Sequence, residues 1–190
     1  MRSLPKVLAA RPNAQVIIVG GDDVSYGARL PQGQTFRQNV LSELGGSLDL
    51  TRVHFLEKIP YAGFIKVLQI SRVHVYLTYP FVLSWSMLEA MSAGCLVVGS
   101  RTQPVEEVIH HGGNGLFVDF FSPEQIADRV IEALEDRKSF ASLRQNARQT
   151  IVDRFDLKSI CLPAHLRMLN MLVTRDSRAT LSSIGAQKTA

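Results

Sequence analysis

The sequence is sparing with several things, and each scarcity closes off a class of protein. Its 190 residues hold two cysteines, Cys95 and Cys161. They lie far apart and form no metal-ligand spacing, so no metal is expected and a reducing, cytoplasmic setting is the simpler reading. No apolar run approaches the roughly 20 residues that cross a bilayer. The start, Met1-Arg2-Ser3-Leu4-Pro5, lacks the apolar stretch and small-residue cleavage site of a signal peptide. No dense Lys/Arg run interleaved with aromatics argues for nucleic acid. No G-x-G-x-x-G follows any strand pattern, which argues against a dinucleotide domain, and no cofactor is implied. Excess charge is scarce too: 21 Lys and Arg against 17 Asp and Glu give +4. Part of that lies in the last stretch, where Arg175, Arg178 and Lys188 outnumber Asp176. So mild an excess is compatible with an anionic small ligand or with the inner face of a membrane.

What is present is an alternation of short apolar runs with amphipathic segments. Strand patterns occur at 15–19, 52–56, 73–77, 95–98 and 115–118. Most are apolar at nearly every position, as strands covered on both faces of a parallel sheet should be. Helical patterns occupy 35–45, ending at Gly45-Gly46, and 61–71. Another spans 85–93 and ends at Gly94, a natural residue just past a helix end. Ser122-Pro123-Glu124-Gln125 is a helix start, with Ser as N-cap, Pro first and Gln third. Two more helices follow, at about 138–154 and 157–173. The predicted fold class is α/β, a Rossmann-like doubly wound parallel sheet with a helical C-terminal segment. One domain is expected over residues 1–173, with a mobile tail at 174–190. Helical text begins at once with Leu4, Val7 and Leu8, where a doubly wound domain would begin with a strand.

The stretch from Thr78 to Val98 carries the most chemistry. It reads as a strand end, a loop, a helix and another strand. Ser84 is a plausible N-cap, which leaves the amides of Trp85, Ser86 and Met87 to meet a phosphate. Glu89 is the one charge in an otherwise apolar or small helix and could accept two sugar hydroxyls. Its plainer reading is complementing the helix dipole. Trp85 reads on periodicity as core rather than ligand contact, Cys95 as an inert core thiol, and His110-His111 as a solvated turn. Glu106 and Glu107 read as acids of a first helical turn.

Glu89-Ala90-Met91-Ser92-Ala93-Gly94-Cys95-Leu96-Val97-Val98 closely resembles the second half of the donor-site signature of retaining, nucleotide-sugar-dependent glycosyltransferases (family four, group 1). Pro104-Val105-Glu106-Glu107-Val108-Ile109 and Gly112-Gly113-Asn114-Gly115-Leu116-Phe117-Val118 resemble that family's next two blocks. Upstream, Arg52-Val53-His54-Phe55-Leu56 and Ile59-Pro60-Tyr61 resemble its strand before the base-binding loop. The resemblance spans about residues 1 to 170 and implies the C-terminal, donor-binding half of a two-Rossmann (GT-B) enzyme. It implies that Glu89 holds the ribose hydroxyls. It implies further that Ser84, Trp85 and Ser86 meet the diphosphate, that the Lys58-Ile59 loop meets the base, and that Gly20-Gly21 closes nearby. The donor would be a UDP- or GDP-sugar, and the acceptor a sugar or lipid-linked sugar held by an N-terminal domain outside this sequence.

Two departures matter. The motif's first glutamate, which contacts the transferred sugar, falls on Phe81, a residue that can stack on a ring but not bind hydroxyls. The family's diphosphate-binding Arg and Lys, and its first strand, would precede residue 1. The expectation is therefore a fragment that is inactive alone, with a gap in its sheet between the strands at 16–19 and 73–77. The rival readings are a non-catalytic interaction module derived from such an enzyme and a sugar-nucleotide epimerase of the same fold. The Glu89-Ala90-Met91 block argues against the second of these.

Overall fold

The computed structural model describes residues 1–173 apart from 23, 25–27, 29, 32, 80, 81, 136 and 137. The tail at 174–190 thus lies outside the described residues. The chain divides into two compact units, Met1–Arg148 and Gln149–Ala190. In order, the first unit contains α1 (Leu4–Ala10), β1 (Val16–Val19), α2 (Phe36–Leu44), β2 (Val53–Leu56), α3 (Tyr61–Ile70) and β3 (Val73–Tyr76). Then come α4 (Trp85–Ser92), β4 (Leu96–Ser100), α5 (Gln103–Glu106), β5 (Leu116–Val118) and α6 (Pro123–Glu135). Helix α7 (Ala141–Phe155) runs from the first unit into the second.

Local chemistry fixes many of these boundaries. Thr35 and Gln38 form a complete capping box at the start of α2, and Gly45, at φ 54°, ends it. Ser122 caps α6 by accepting the Gln125 amide at 3.2 Å. The Gln125 side chain does not return to Ser122, as a full capping box would require; it accepts the backbone N–H of Asp119 instead. Asn114 is buried because both ends of its amide are used: Oδ1 accepts the His110 amide at 2.6 Å and Nδ2 donates to the Val108 carbonyl at 3.0 Å.

The strands are all parallel, and they form two sheets. β1 pairs with β2, β3 with β4, and β4 with β5. Among the described residues no ladder joins β1 to β3, and the sheets part between the strands where the sequence predicts a gap. Helix α1 connects the two sheets. Its Val7 packs with Ala127, Val130 and Val73, and its Leu8 with Leu48, Val53 and Val16. Arg11 reinforces the link by donating to the Ile131 carbonyl and pairing with Glu135 at 3.4 Å.

The core centres on β4, all five of whose residues are buried. Met87, Ala90 and Met91 of α4 cover it with no exposed surface. Burying side chains of the size of Met87 and Met91 contributes about 1.5–3 kcal/mol each. In the second unit, Leu157–Cys161 form one π turn, a break within the single helix expected from 157. Helical residues 162–173 follow. There Leu162, Leu166, Leu169 and Val173 recur at helical spacing and are exposed. Among the described residues no helix is long and apolar enough to cross a membrane.

Candidate functional site

Parallel strands bring their C-terminal ends to one edge, where the loops after them can share a ligand. Gly20 ends β1 at φ 143°, a conformation that favours glycine, and its amide donates to Leu56 at the end of β2. Gly20 and Gly21 are exposed. Lys58 and Ile59 form the loop after β2, with Lys58 exposed and Ile59 half-buried. Tyr61 opens α3 two residues later, and its hydroxyl donates to Glu89 Oε1 of α4 at 2.9 Å. That bond joins the loop after β2 to the carboxylate singled out from the sequence. Glu89 is half-buried and Tyr61 largely exposed. The carboxylate holds the phenol above its ordinary range, first by accepting its proton in a hydrogen bond and then by desolvation and like-charge repulsion.

Ser84 is the N-cap of α4, as expected, but its helix end offers less than the sequence suggests. Ser84 Oγ accepts the Ser86 amide at 3.3 Å, and the Ser84 carbonyl accepts the Met87 amide at 3.3 Å. A capping residue satisfies the donors that a bare helix end leaves open. Of the three amides expected to be free, only that of Trp85 has no partner among the described residues. Trp85 itself is 80% exposed, so the periodicity reading of a core residue is corrected. The helix turns its other faces, with Met87, Ala90 and Met91, to the core. Phe81 lies outside the described residues.

Two hydroxyls unnoticed in the sequence hold the loop between β3 and α4. Tyr76, buried at the end of β3, accepts the Ser84 amide with its phenol oxygen at 2.9 Å. Ser100, buried at the end of β4, donates to the Thr78 carbonyl at 2.6 Å and accepts its amide at 2.9 Å. Tyr61 also received no role in the sequence reading. Its signal was a polar aromatic at the first position of a helix that follows the base-loop pattern.

The described residues carried over by resemblance do not line the large cleft of the first unit. That cleft, of about 980 Å³, opens between the loops after β4 and β5. Neither Glu89, Ser84 nor Lys58 lines it. Among the described residues no group of three His, Cys, Asp or Glu side chains is placed to hold a metal ion. His111 of the His110-His111 turn is engaged locally: Nδ1 accepts the Phe117 amide at 2.9 Å, and the ring stacks on Phe117 at 5.8 Å.

The sequence profile of the family described as Glycosyl transferases group 1 matches residues 1–150. The chain belongs to that family. It is 28% identical over 119 residues to an uncharacterized glycosyltransferase of Methanocaldococcus jannaschii, a match covering 62% of this chain and 30% of that protein. It is 30% identical over 74 residues to the N-acetyl-alpha-D-glucosaminyl L-malate synthase of Bacillus anthracis, covering 39% of this chain and 19% of that protein. The chain thus spans less than a third of the length of either relative. Among solved structures, it resembles Anabaena HepE in complex with UDP-glucose at a TM-score of 0.71 and 22% identity, over 92% of this chain and 45% of that one. It resembles the C-terminal domain of a group 1 glycosyl transferase of Francisella tularensis at a TM-score of 0.69 and 19% identity, over 83% and 77%. At these identities the structural likeness fixes the fold, an α/β arrangement of the GT-B C-terminal type.

Proposed function

We propose that this chain is the donor-binding part of a retaining glycosyltransferase and that it holds the nucleotide of a UDP- or GDP-sugar. The observation that carries the reading is the Tyr61–Glu89 hydrogen bond. It occupies one carboxylate oxygen with a phenol and leaves Oε2 to accept from ribose. The Lys58–Ile59 loop, two residues before Tyr61, meets the base. The N-terminus of α4 meets the diphosphate through the Trp85 amide and the helix dipole. In the transfer the bond between the anomeric carbon and the diphosphate oxygen breaks. The acceptor hydroxyl oxygen bonds to that carbon on the same face, the diphosphate leaves with the electron pair, and the hydroxyl proton passes to the departing diphosphate oxygen. Stabilising that leaving group takes preorganised positive charge. With the Ser86 and Met87 amides already used, α4 supplies little of it, so the reading requires cationic groups and an acceptor-binding domain from outside residues 1–190. The match to less than a third of each relative's length supports that requirement. The acceptor is a sugar or lipid-linked sugar.

Calorimetric titration with UDP and GDP tests the reading. Glu89→Gln should weaken binding by roughly 10- to 100-fold, since a hydrogen bond to a charged group contributes about 1.5–3 kcal/mol. Tyr61→Phe removes the hydroxyl that donates to Glu89 and should weaken binding less than Glu89→Gln does. Against a 2′,3′-dideoxynucleoside diphosphate neither substitution should cost anything further, because the hydroxyls they serve are gone. Unchanged affinity for UDP and GDP in Glu89→Gln would remove Glu89 from the site.

A further inference from the structure

The cleft between the loops after β4 and β5 is lined by none of the described residues assigned to the nucleotide, yet it is built. Asp119 and Gln125 shape one wall. Asp119 Oδ1 accepts the Phe121 amide at 2.9 Å, while the Asp119 amide donates to the Gln125 side chain, itself fixed at the start of α6. This local bonding holds a tight turn that carries two consecutive phenylalanines, Phe120 half-buried and Phe121 exposed. Phe120 and Phe121 meet edge to face at 5.0 Å, and Tyr79 packs on Phe121 at 5.1 Å and on Phe120 at 5.7 Å. Phe121 is 69% exposed and Tyr79 59%. A fixed turn that leaves aromatic rings in water forgoes burial worth about 1.5–3 kcal/mol for a residue the size of Phe, and exposed apolar clusters of this kind mark binding sites. Phe117, Arg101 and Gln103 also line the cleft.

The wall chemistry selects the occupant. Its described cations are already matched: Arg101 pairs with Glu106 at 2.6 Å and Arg129 with Glu132 at 2.6 Å. Asp119 adds a carboxylate. Among the described lining residues no surplus positive charge remains to attract a phosphate or a nucleotide. Aromatic rings beside amide and guanidinium groups match a ligand with apolar C–H faces and a rim of hydroxyls, which is a neutral saccharide. At about 980 Å³ the cleft sits at the upper end of small-molecule sites, room for several rings rather than one. We infer that the cleft lined by Tyr79, Phe117, Phe120 and Phe121 binds a neutral oligosaccharide. Tyr79 belongs to the loop between β3 and α4, so the cleft adjoins the start of α4 through shared backbone. The binding stands independently of the transferase reading; its role as a subsite for an acceptor glycan rests on that reading.

Saturation-transfer NMR on the full chain, with maltotriose, triacetylchitotriose and raffinose as probes and inorganic phosphate as the anionic control, tests it. At least one trisaccharide should bind. Phe121→Ala and Tyr79→Ala should each raise its Kd tenfold or more with unchanged melting temperature, both side chains being largely exposed. Glu89→Gln should leave the trisaccharide Kd as it was. Binding of none of the three, or of phosphate in preference to all of them, would overturn the inference. So would a trisaccharide Kd indifferent to both aromatic substitutions. A trisaccharide response lost in Glu89→Gln would assign the sugar to the nucleotide site and overturn it as well. Failure of UDP and GDP to bind would sink the nucleotide reading alone and leave the cleft assignment standing.

Discussion

The two sheets are built from similarly apolar strands, but they are buried very unequally. β4 is buried along its whole length: Ile126 and Ala133 of α6 pack with its Leu96 and Val98, and Val105 of α5 lies close against Gly99. In β1 no residue is fully buried, and in β2 only Val53 is. The difference is one of neighbours. β4 has a strand on each side, whereas β1 has β2 on one side and no ladder on the other. Hydrophobic text sets how much surface a strand can bury, and the number of layers around it sets how much it does bury. The β3–β4–β5 half should therefore be the stable scaffold, and the β1–β2 half the region that opens first.

The widest separation between the halves should come from matched truncations in urea unfolding. Met91→Ala, at a site with no exposed surface, should cost about 3–5 kcal/mol, and Leu48→Ala, under β1–β2, nearer 2 kcal/mol. Equal costs would break the comparison. A smaller effect tests how tightly the scaffold is packed. A Cβ at Gly115 would stand 2.9 Å from Ile109 Cγ2 and 3.3 Å from the Val97 carbonyl. Gly115→Ala should therefore cost about 1–3 kcal/mol by overpacking, although Gly115 needs no special backbone conformation. A neutral result would show that the strand edge yields. The mildest test perturbs nothing. The Cys95 thiol is fully buried, donates to the Leu68 carbonyl at 2.8 Å, and is pushed up to about 11 by burial, with Arg144 opposing. Iodoacetamide at pH 8 should therefore label Cys161 in the native chain, and Cys95 only once denaturant opens the scaffold. Native labelling of Cys95 at a comparable rate would place frequent opening in the half argued to be rigid.

The same contrast explains what could be read in advance. The five strand patterns match β1 to β5 to within two residues at either end, because short, mostly apolar runs set between helical patterns are too short for a helix of their own. The break between β1 and β3 was legible because a doubly wound sheet is organised around its first strand. Within the site, Glu89 and the Ser84 cap were legible as a lone carboxylate and a capping residue. The use of the α4 amides was not: whether Ser84 Oγ meets Ser86 or turns away depends on a rotamer. The exposure of Trp85 was not legible either, since periodicity set the indole with the apolar residues of α4 rather than with Glu89 one turn on.

Sequence by itself determined the parallel α/β order, the boundaries at Gly45, Gly94 and Ser122, and the family block from Glu89 to Val98. Those features rest on short-range chemistry: periodicity, capping and the conformational freedom of glycine. Tertiary structure decided that Tyr61 donates to Glu89 from 28 residues away, and that Tyr79 meets Phe120 and Phe121 from a different loop. Contacts between side chains so distant in the chain carry no local signature. They exist only once parallel strands have carried their loops to one edge of the sheet.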